Sequence, residues 1–315
     1  MTETTPPFAT LFDLPFGKAE GIVNGAIVAL GLPMQSASPR RIGTARGPAA
    51  IRKASSEALQ AYRASPSQTV VDLSTGQTKR LRVPEGSLDI GDLALNGQVS
   101  THDLIRIADL IAAIAAEGGL PVALGGDHRV LEGVIKGLQS SQDCPAIISI
   151  SDKITLPAAV DAAPLPLATL VSPATEQPAP LLCIGVNGLQ SGASWVALER
   201  GGGVVVTAED LYESHAATLN TINRFIGDHP SLVFCLDLEV IDAGYAAGTP
   251  AVNVGGLTPE QLLDLLRQLD QPAELAGVVV TNVAPNLDAR GLTELAASEA
   301  LVALLEHHLF EEVSQ

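Results

Sequence analysis

Three short motifs have the layout of a metal site. Gly125-Gly126-Asp127-His128 follows an apolar run and opens a helical one. Asp237-Leu238-Glu239 closes a second apolar run and leads into Gly248-Thr249-Pro250 and Gly255-Gly256-Leu257-Thr258. Between them the chain reads Ser151-Asp152-Lys153-Ile154-Thr155. The chemistry such a layout serves is hydrolysis. Two dications lower the pKa of a bound water, and the resulting hydroxide attacks an electrophilic carbon. On an extended segment residues i, i+2 and i+4 face one way, so Ser151, Lys153 and Thr155 would point where three more ligands belong. A protonated lysine cannot ligate, and hydroxyls are weak ligands for a dication. The layout of a metallohydrolase is present, and the donor chemistry of its middle motif is absent.

Other uses of these residues are weaker. His128, Asp237 and Glu239 could in number hold a single metal, but the Lys153 ammonium would repel it and can neutralise the carboxylates instead. Asp237 with Glu239 as an acid/base pair lacks a nucleophile or a second histidine. Gly125-Gly126 fits neither dinucleotide nor P-loop spacing, so it reads as a tight turn. His307-His308 sits at a helix C-terminus, where it suits the dipole.

The elements that must position these motifs alternate. Candidate strands are Gly25–Leu30, Leu88–Ile90, Pro121–Leu124, Ala146–Ile150, Leu181–Val186, Gly203–Val206, Leu232–Leu236 and Gly277–Val283. Most are continuous apolar runs, as strands buried on both faces of a parallel sheet are. Helical patterns cover Ala49–Tyr62, Asp103–Ala116, Val130–Leu138, Ala216–Ile226, Pro259–Leu269 and Thr293–Leu309, with Thr258 as N-cap and Pro259 at the first helical position. The alternation predicts one three-layer α/β/α domain over residues 24–315, with a parallel sheet of about eight strands and an N-terminal extension over 1–23. Ala64–Arg82 and Leu156–Pro180 read as surface loops. Sites in such sheets form beyond the carboxyl ends of strands, which is where all three motifs fall.

Bulk properties narrow the class. Of 315 residues 46% are apolar, enough for a large core, and only 3% are aromatic, so that core is aliphatic. The net charge of −17 argues against nucleic acid or an anionic membrane as partner. Cys144, Cys183 and Cys235 are odd in number and lack CxxC spacing, so they read as reduced. No signal peptide or membrane span is legible, and a cytoplasmic protein is expected.

The chain resembles the ureohydrolase family of arginases, agmatinases and related guanidino hydrolases. Gly47-Pro48-Ala49-Ala50-Ile51-Arg52 is similar to its GP-x-x-IR segment, Leu88-Asp89-Ile90-Gly91-Asp92 to its D-x-GD strand end, and Gly125–His128 to its GGDH motif. Cys235 to Thr258 is similar to S-x-D-x-D…DP…APGT…GGLT, with Ala243 and Ala247 in place of two prolines. Pro285 and Asp288 match the P-x-x-D after the last strand.

The resemblance implies an arginase-like fold and, in active members, two divalent metals, manganese or nickel, on six ligands. Those positions fall on His128, Ser151, Lys153, Thr155, Asp237 and Glu239. The family's substrate-recognising glutamate falls on Asn282, and the residue after GGDH, usually Ser or Thr, is Arg129. The resemblance therefore implies a degenerate member with no catalytic residue and no metal of its own. Metformin hydrolase pairs a metal-bearing subunit with an accessory subunit lacking the ligands, and this chain is similar in kind to the latter. The implied partner is a ligand-complete paralogue, holding dinuclear nickel or manganese, in a mixed oligomer of the hexameric family type. The alternatives are a homo-oligomeric binding protein that uses the old crevice through Asp237, Glu239 and Asn282, and a weak hydrolase with a rebuilt site.

Overall fold

The computed structural model describes residues 4–35, 41–64, 69–72, 76–95, 100–141, 144–154 and 179–313. Thr155 and most of the Leu156–Pro180 stretch lie outside them. Among the described residues the strands are β1 (Thr4–Thr5), β2 (Ile27–Leu32), β3 (Thr69–Val71), β4 (Thr78–Leu81), β5 (Leu88–Leu93), β6 (Leu120–Gly125), β7 (Ala146–Ile150), β8 (Leu181–Val186), β9 (Val204–Thr207), β10 (Ser231–Asp237), β11 (Glu274–Thr281) and β12 (Phe310–Glu312). Nine of them form one sheet in the order β1-β5-β2-β6-β11-β10-β7-β8-β9. Eight run parallel, as the sequence predicts, and the two-residue β1 adds an antiparallel edge against β5.

Alternate residues of each central strand feed separate cores. From β10, Leu232, Phe234 and Leu236 pack on one side, under helices Gly47–Ala58, His215–Asp228, Pro259–Arg267 and Leu292–Leu304. Val233 and Cys235 pack on the other, under Thr101–Ala116 and Val130–Ser141. Burial on both faces is why the strands read as unbroken apolar runs rather than as alternation. The N-cap read at Thr258 is a full capping box, closed by the Gln261 side chain.

Two family-like segments turn out to serve the scaffold. Arg52 is fully buried, and its guanidinium grips Asp89 with Nε at 2.8 Å and Nη2 at 2.9 Å while Nη1 bonds Asp92. Asp89 also accepts the backbone N–H of Leu11 and Gly91. A Cβ on Gly31 would stand 1.8 Å from Asp92 Oδ1, so the neighbouring strand must offer bare backbone there. Leu11, Phe12 and Leu14, within the stretch read as an N-terminal extension, are buried in the core.

Two expectations change. Part of Ala64–Arg82, read as loop, forms β3 and β4, which join β12 in a second, antiparallel sheet. Helices Gly192–Arg200 and Ala208–Glu213 were not anticipated.

Candidate functional site

Four neighbouring strands in the middle of the sheet, β6, β11, β10 and β7, end on one crevice. β6 and β7 flank β11 and β10 there, so four loops that are distant in sequence meet.

After β6 the backbone turns sharply. Gly126 N–H donates to Leu32 O at 2.9 Å and Asp127 N–H to Met34 O at 2.8 Å. A Cβ on Gly126 would fall 2.0 Å from Met34 O, so only glycine fits this approach. The turn delivers His128, half-buried, with Nδ1 at 3.4 Å from Asn282 Nδ2. Burial lowers the His128 pKa and outweighs the pull of Asp127 and Glu239, so the imidazole is neutral at pH 7. Burial would raise Asp127, but His128 and the Arg129 side chain, bonded at 2.8 Å, hold it below its ordinary value.

After β11, Asn282 adopts φ +64°, a left-handed conformation that asparagine tolerates better than most residues. Its N–H is fixed on Gly126 O at 2.8 Å. The side-chain amide donates to both oxygens of Asp237, at 3.0 and 2.9 Å. After β10, Asp237 Oδ1 also accepts Glu239 N–H at 2.9 Å, starting a single turn over Leu238–Val240. That turn aims Glu239 across the crevice. Its Oε1 accepts Ala251 N–H at 2.9 Å, its carbonyl accepts Asn253 Nδ2 at 2.9 Å, and its Oε2 is bonded by the Lys153 ammonium.

Lys153 therefore pairs with Glu239 rather than Asp237. The Glu239 end is buried at 4% side-chain exposure, and the lysine stem remains 38% exposed. Burial alone would lower the Lys153 pKa. The carboxylates of Glu239, Asp152 and Asp237 outweigh it and hold the ammonium above the ordinary lysine range. Asp237 is pushed well above the ordinary carboxylate range by burial and by Glu239, with Lys153 opposing.

The structure brings His128, Lys153, Asp237, Glu239 and Asn282 together. Ser151 is buried beside Lys153, whose N–H donates to its hydroxyl at 3.3 Å. Thr155 lies outside the described residues.

One contributor was missed by sequence reasoning. Strict alternation should turn Asp152 away, but β7 stops at Ile150 and the chain bends over 151–154. Asp152 Oδ1 thereby comes 3.5 Å from the Lys153 ammonium, buried and, among the described residues, without a hydrogen bond. Burial pushes Asp152 up to about 6, with Lys153 pulling against it and Glu239 adding to it. A second missed group is the side-chain web of Asn187, Gln190 and Asn253, which ties this bend to the Glu239 loop. Only Asn187 follows a strand end, so no local pattern marks the web.

A metal pair at these positions needs anionic or imidazole donors with free lone pairs. Of the six positions only His128, Asp237 and Glu239 carry such donors, and Glu239 is bonded by the Lys153 ammonium. Among the described residues no group of three His, Cys, Asp or Glu side chains is placed to hold a metal. The donor set does not fit a dinuclear centre.

Comparison with known proteins places the scaffold. The arginase family matches residues 25–306. The chain belongs to the arginase family. It is 23% identical to the formimidoylglutamase of Bacillus subtilis over 285 residues, 88% of this chain and 85% of that one. It is 26% identical to the guanidinopropionase of Pseudomonas aeruginosa over 282 residues, covering 88% and 84%. The crystal structure of the Bacillus subtilis formimidoylglutamase superposes with a TM-score of 0.75 at 21% identity, over 97% of this chain and 95% of that one, and so shares its fold. The arginase-family segments Gly248-Thr249 and Gly255–Thr258 also have packing reasons here. A Cβ on Gly248 would meet Thr293 Oγ1 at 2.8 Å, and one on Gly256 would meet Val240 O at 2.5 Å. Among the described residues no helix is long and apolar enough to cross a membrane.

Proposed function

We propose that this arginase-family chain is a non-catalytic subunit that assembles with a ligand-complete family member and supports that partner's hydrolysis of a guanidine or biguanide C–N bond. One observation carries the reading: the ammonium of Lys153 occupies the middle of the crevice, on Glu239, while the Asn282 amide caps Asp237. Part of the positive charge that two dications would supply comes from within the chain. Without a metal-bound hydroxide the crevice has no nucleophile, and the loss of one amounts to many orders of magnitude in rate.

The scaffold around that crevice is kept whole. The Gly126 turn and the Glu239–Ala251–Asn253 web hold loops of the crevice, and the buried Arg52–Asp89 pair holds helix Gly47–Ala58 to β5. Such order is of use to a neighbouring subunit even where the chemistry is gone. In the mixed oligomer, a hexamer on the family pattern, the dinuclear nickel or manganese belongs to the partner.

The test is co-expression with a ligand-complete homologue. The mixed oligomer is expected to be active, and the homologue alone to be less active, less soluble or wrongly assembled. Restoring ligands in this chain (Ser151→Asp, Lys153→His, Thr155→Asp, Glu239→Asp) is expected to be unnecessary for that activity. A homo-oligomer that never takes up the homologue would sink the proposal and favour a binding role for the crevice. For that second reading one observation speaks: among the described residues Asn282 Oδ1 is a buried acceptor without a hydrogen-bond partner.

A further inference from the structure

Asp152, Asp237 and Glu239 place three carboxyl groups beyond the central strands, beside the Asn282 amide. Among the described residues Lys153 is their one ion-pair partner, bonded to Glu239 and 3.5 Å from Asp152 Oδ1. Among the described residues Asp152 Oδ1 is buried and makes no hydrogen bond beyond its 3.5 Å ion pair with Lys153, and Asn282, 1% exposed, leaves Oδ1 buried with no hydrogen-bond partner. Carboxylates gathered in this way suit a compact cation rich in N–H donors. The cation at hand arrives on a stem that comes in from the solvent side, since 38% of the Lys153 side chain is exposed while the Glu239 it reaches is buried.

We infer that this pocket is a binding site for a small primary ammonium ion, and that the chain fills it with the side chain of Lys153 as a tethered ligand. The tether gives the ammonium a high effective concentration and spares it the entropy that a free ion loses on binding. Free cations are thereby kept out of the crevice. The inference deepens the non-catalytic reading and rests on it for the loss of metal chemistry. Its readouts use this chain alone, so its failure and the failure of co-assembly are separate results.

Lys153→Ala deletes three carbons and a nitrogen, the heavy atoms of n-propylammonium. Thermal unfolding of the wild type, Lys153→Ala and Lys153→Met is followed in propylammonium, tetramethylammonium and sodium chlorides at equal ionic strength. Lys153→Ala is expected to melt below the wild type and to regain about half or more of the lost Tm in propylammonium, as binding to the folded state alone requires. Tetramethylammonium has the charge but no N–H, and is expected to restore no more than sodium does. Lys153→Met fills the volume with an uncharged chain and is expected to stay low in all three salts. A Lys153→Ala protein as stable as the wild type overturns the inference. So does equal recovery in tetramethylammonium, or rescue of Lys153→Met as large as that of Lys153→Ala. The double variant Lys153→Ala/Glu239→Gln strands no carboxylate at Glu239 and is expected to be more stable than Lys153→Ala and indifferent to propylammonium. Should Lys153→Ala not fold, folding of the double variant supports the inference, and its failure to fold as well overturns it.

Discussion

At Lys153 one ammonium faces three carboxyl groups, and the consequences can be measured residue by residue. Lys153→Met leaves Glu239 buried without its cation, which for a fully buried pair costs about 3–5 kcal/mol. Because the lysine stem is 38% exposed, solvent screens part of that, and a loss on the order of 2 kcal/mol is expected. Denaturant unfolding checks it, and unchanged stability would remove Lys153 as the stabilising charge. The pH dependence has a definite sign. Lys153 has a raised pKa in the folded chain, so its contribution is fully present below the ordinary lysine value and fades only as pH rises past it. Asp152 behaves in the opposite sense to most carboxylates. Its pKa rises from 3.8 to about 6 on folding, so the folded chain holds a proton that the unfolded chain releases. Stability from this group therefore falls as pH climbs through that window. Asp152→Asn is expected to raise stability at pH 7.5 by on the order of 1 kcal/mol and to flatten the profile between pH 4 and 7. A loss of stability at pH 7.5 would show instead that the Asp152 charge is needed to hold Lys153.

Among the elements, the buried Arg52–Asp89 pair is where the strand layout depends most on one side chain. The guanidinium spans helix Gly47–Ala58 and the end of β5, and Asp89 also fixes the N-terminal stretch through Leu11 N–H. Arg52→Met would leave Asp89 buried and unpaired, at an expected cost of about 3–5 kcal/mol. Calorimetry of that variant should show a large drop in Tm, and a drop no greater than that of a surface Arg→Met control would contradict the role. The parallel strands were legible because burial on both faces writes itself into the sequence as unbroken apolar runs, as in Leu232–Leu236. The crevice was legible in outline, since His128, Lys153, Asp237, Glu239 and Asn282 all follow strand ends. What escaped depends on contacts that no local pattern encodes. β3 and β4 are short, and their sheet is completed by β12, which pairs with β4 from some 230 residues away in sequence, as Arg80 opposite Glu311 shows. Asp152 was hidden because alternation fails once β7 ends at Ile150. Helix Ala208–Glu213 did have a local signal, the Thr207/Asp210 capping box.

For the whole molecule, the role proposed for this arginase-family scaffold is assembly rather than turnover. The isolated chain is expected to leave arginine, agmatine, guanidinobutyrate and metformin unhydrolysed. Turnover by a metal-free, partner-free preparation would revive the rebuilt-hydrolase alternative. Native mass spectrometry of this chain co-expressed with a ligand-complete homologue tests the central claim most directly, because one spectrum reports both subunit composition and bound metal. The expected result is a mixed oligomer whose metal mass equals two ions for each homologue subunit and none for this chain. A homo-oligomer of this chain alone, or metal in proportion to all subunits, would contradict it.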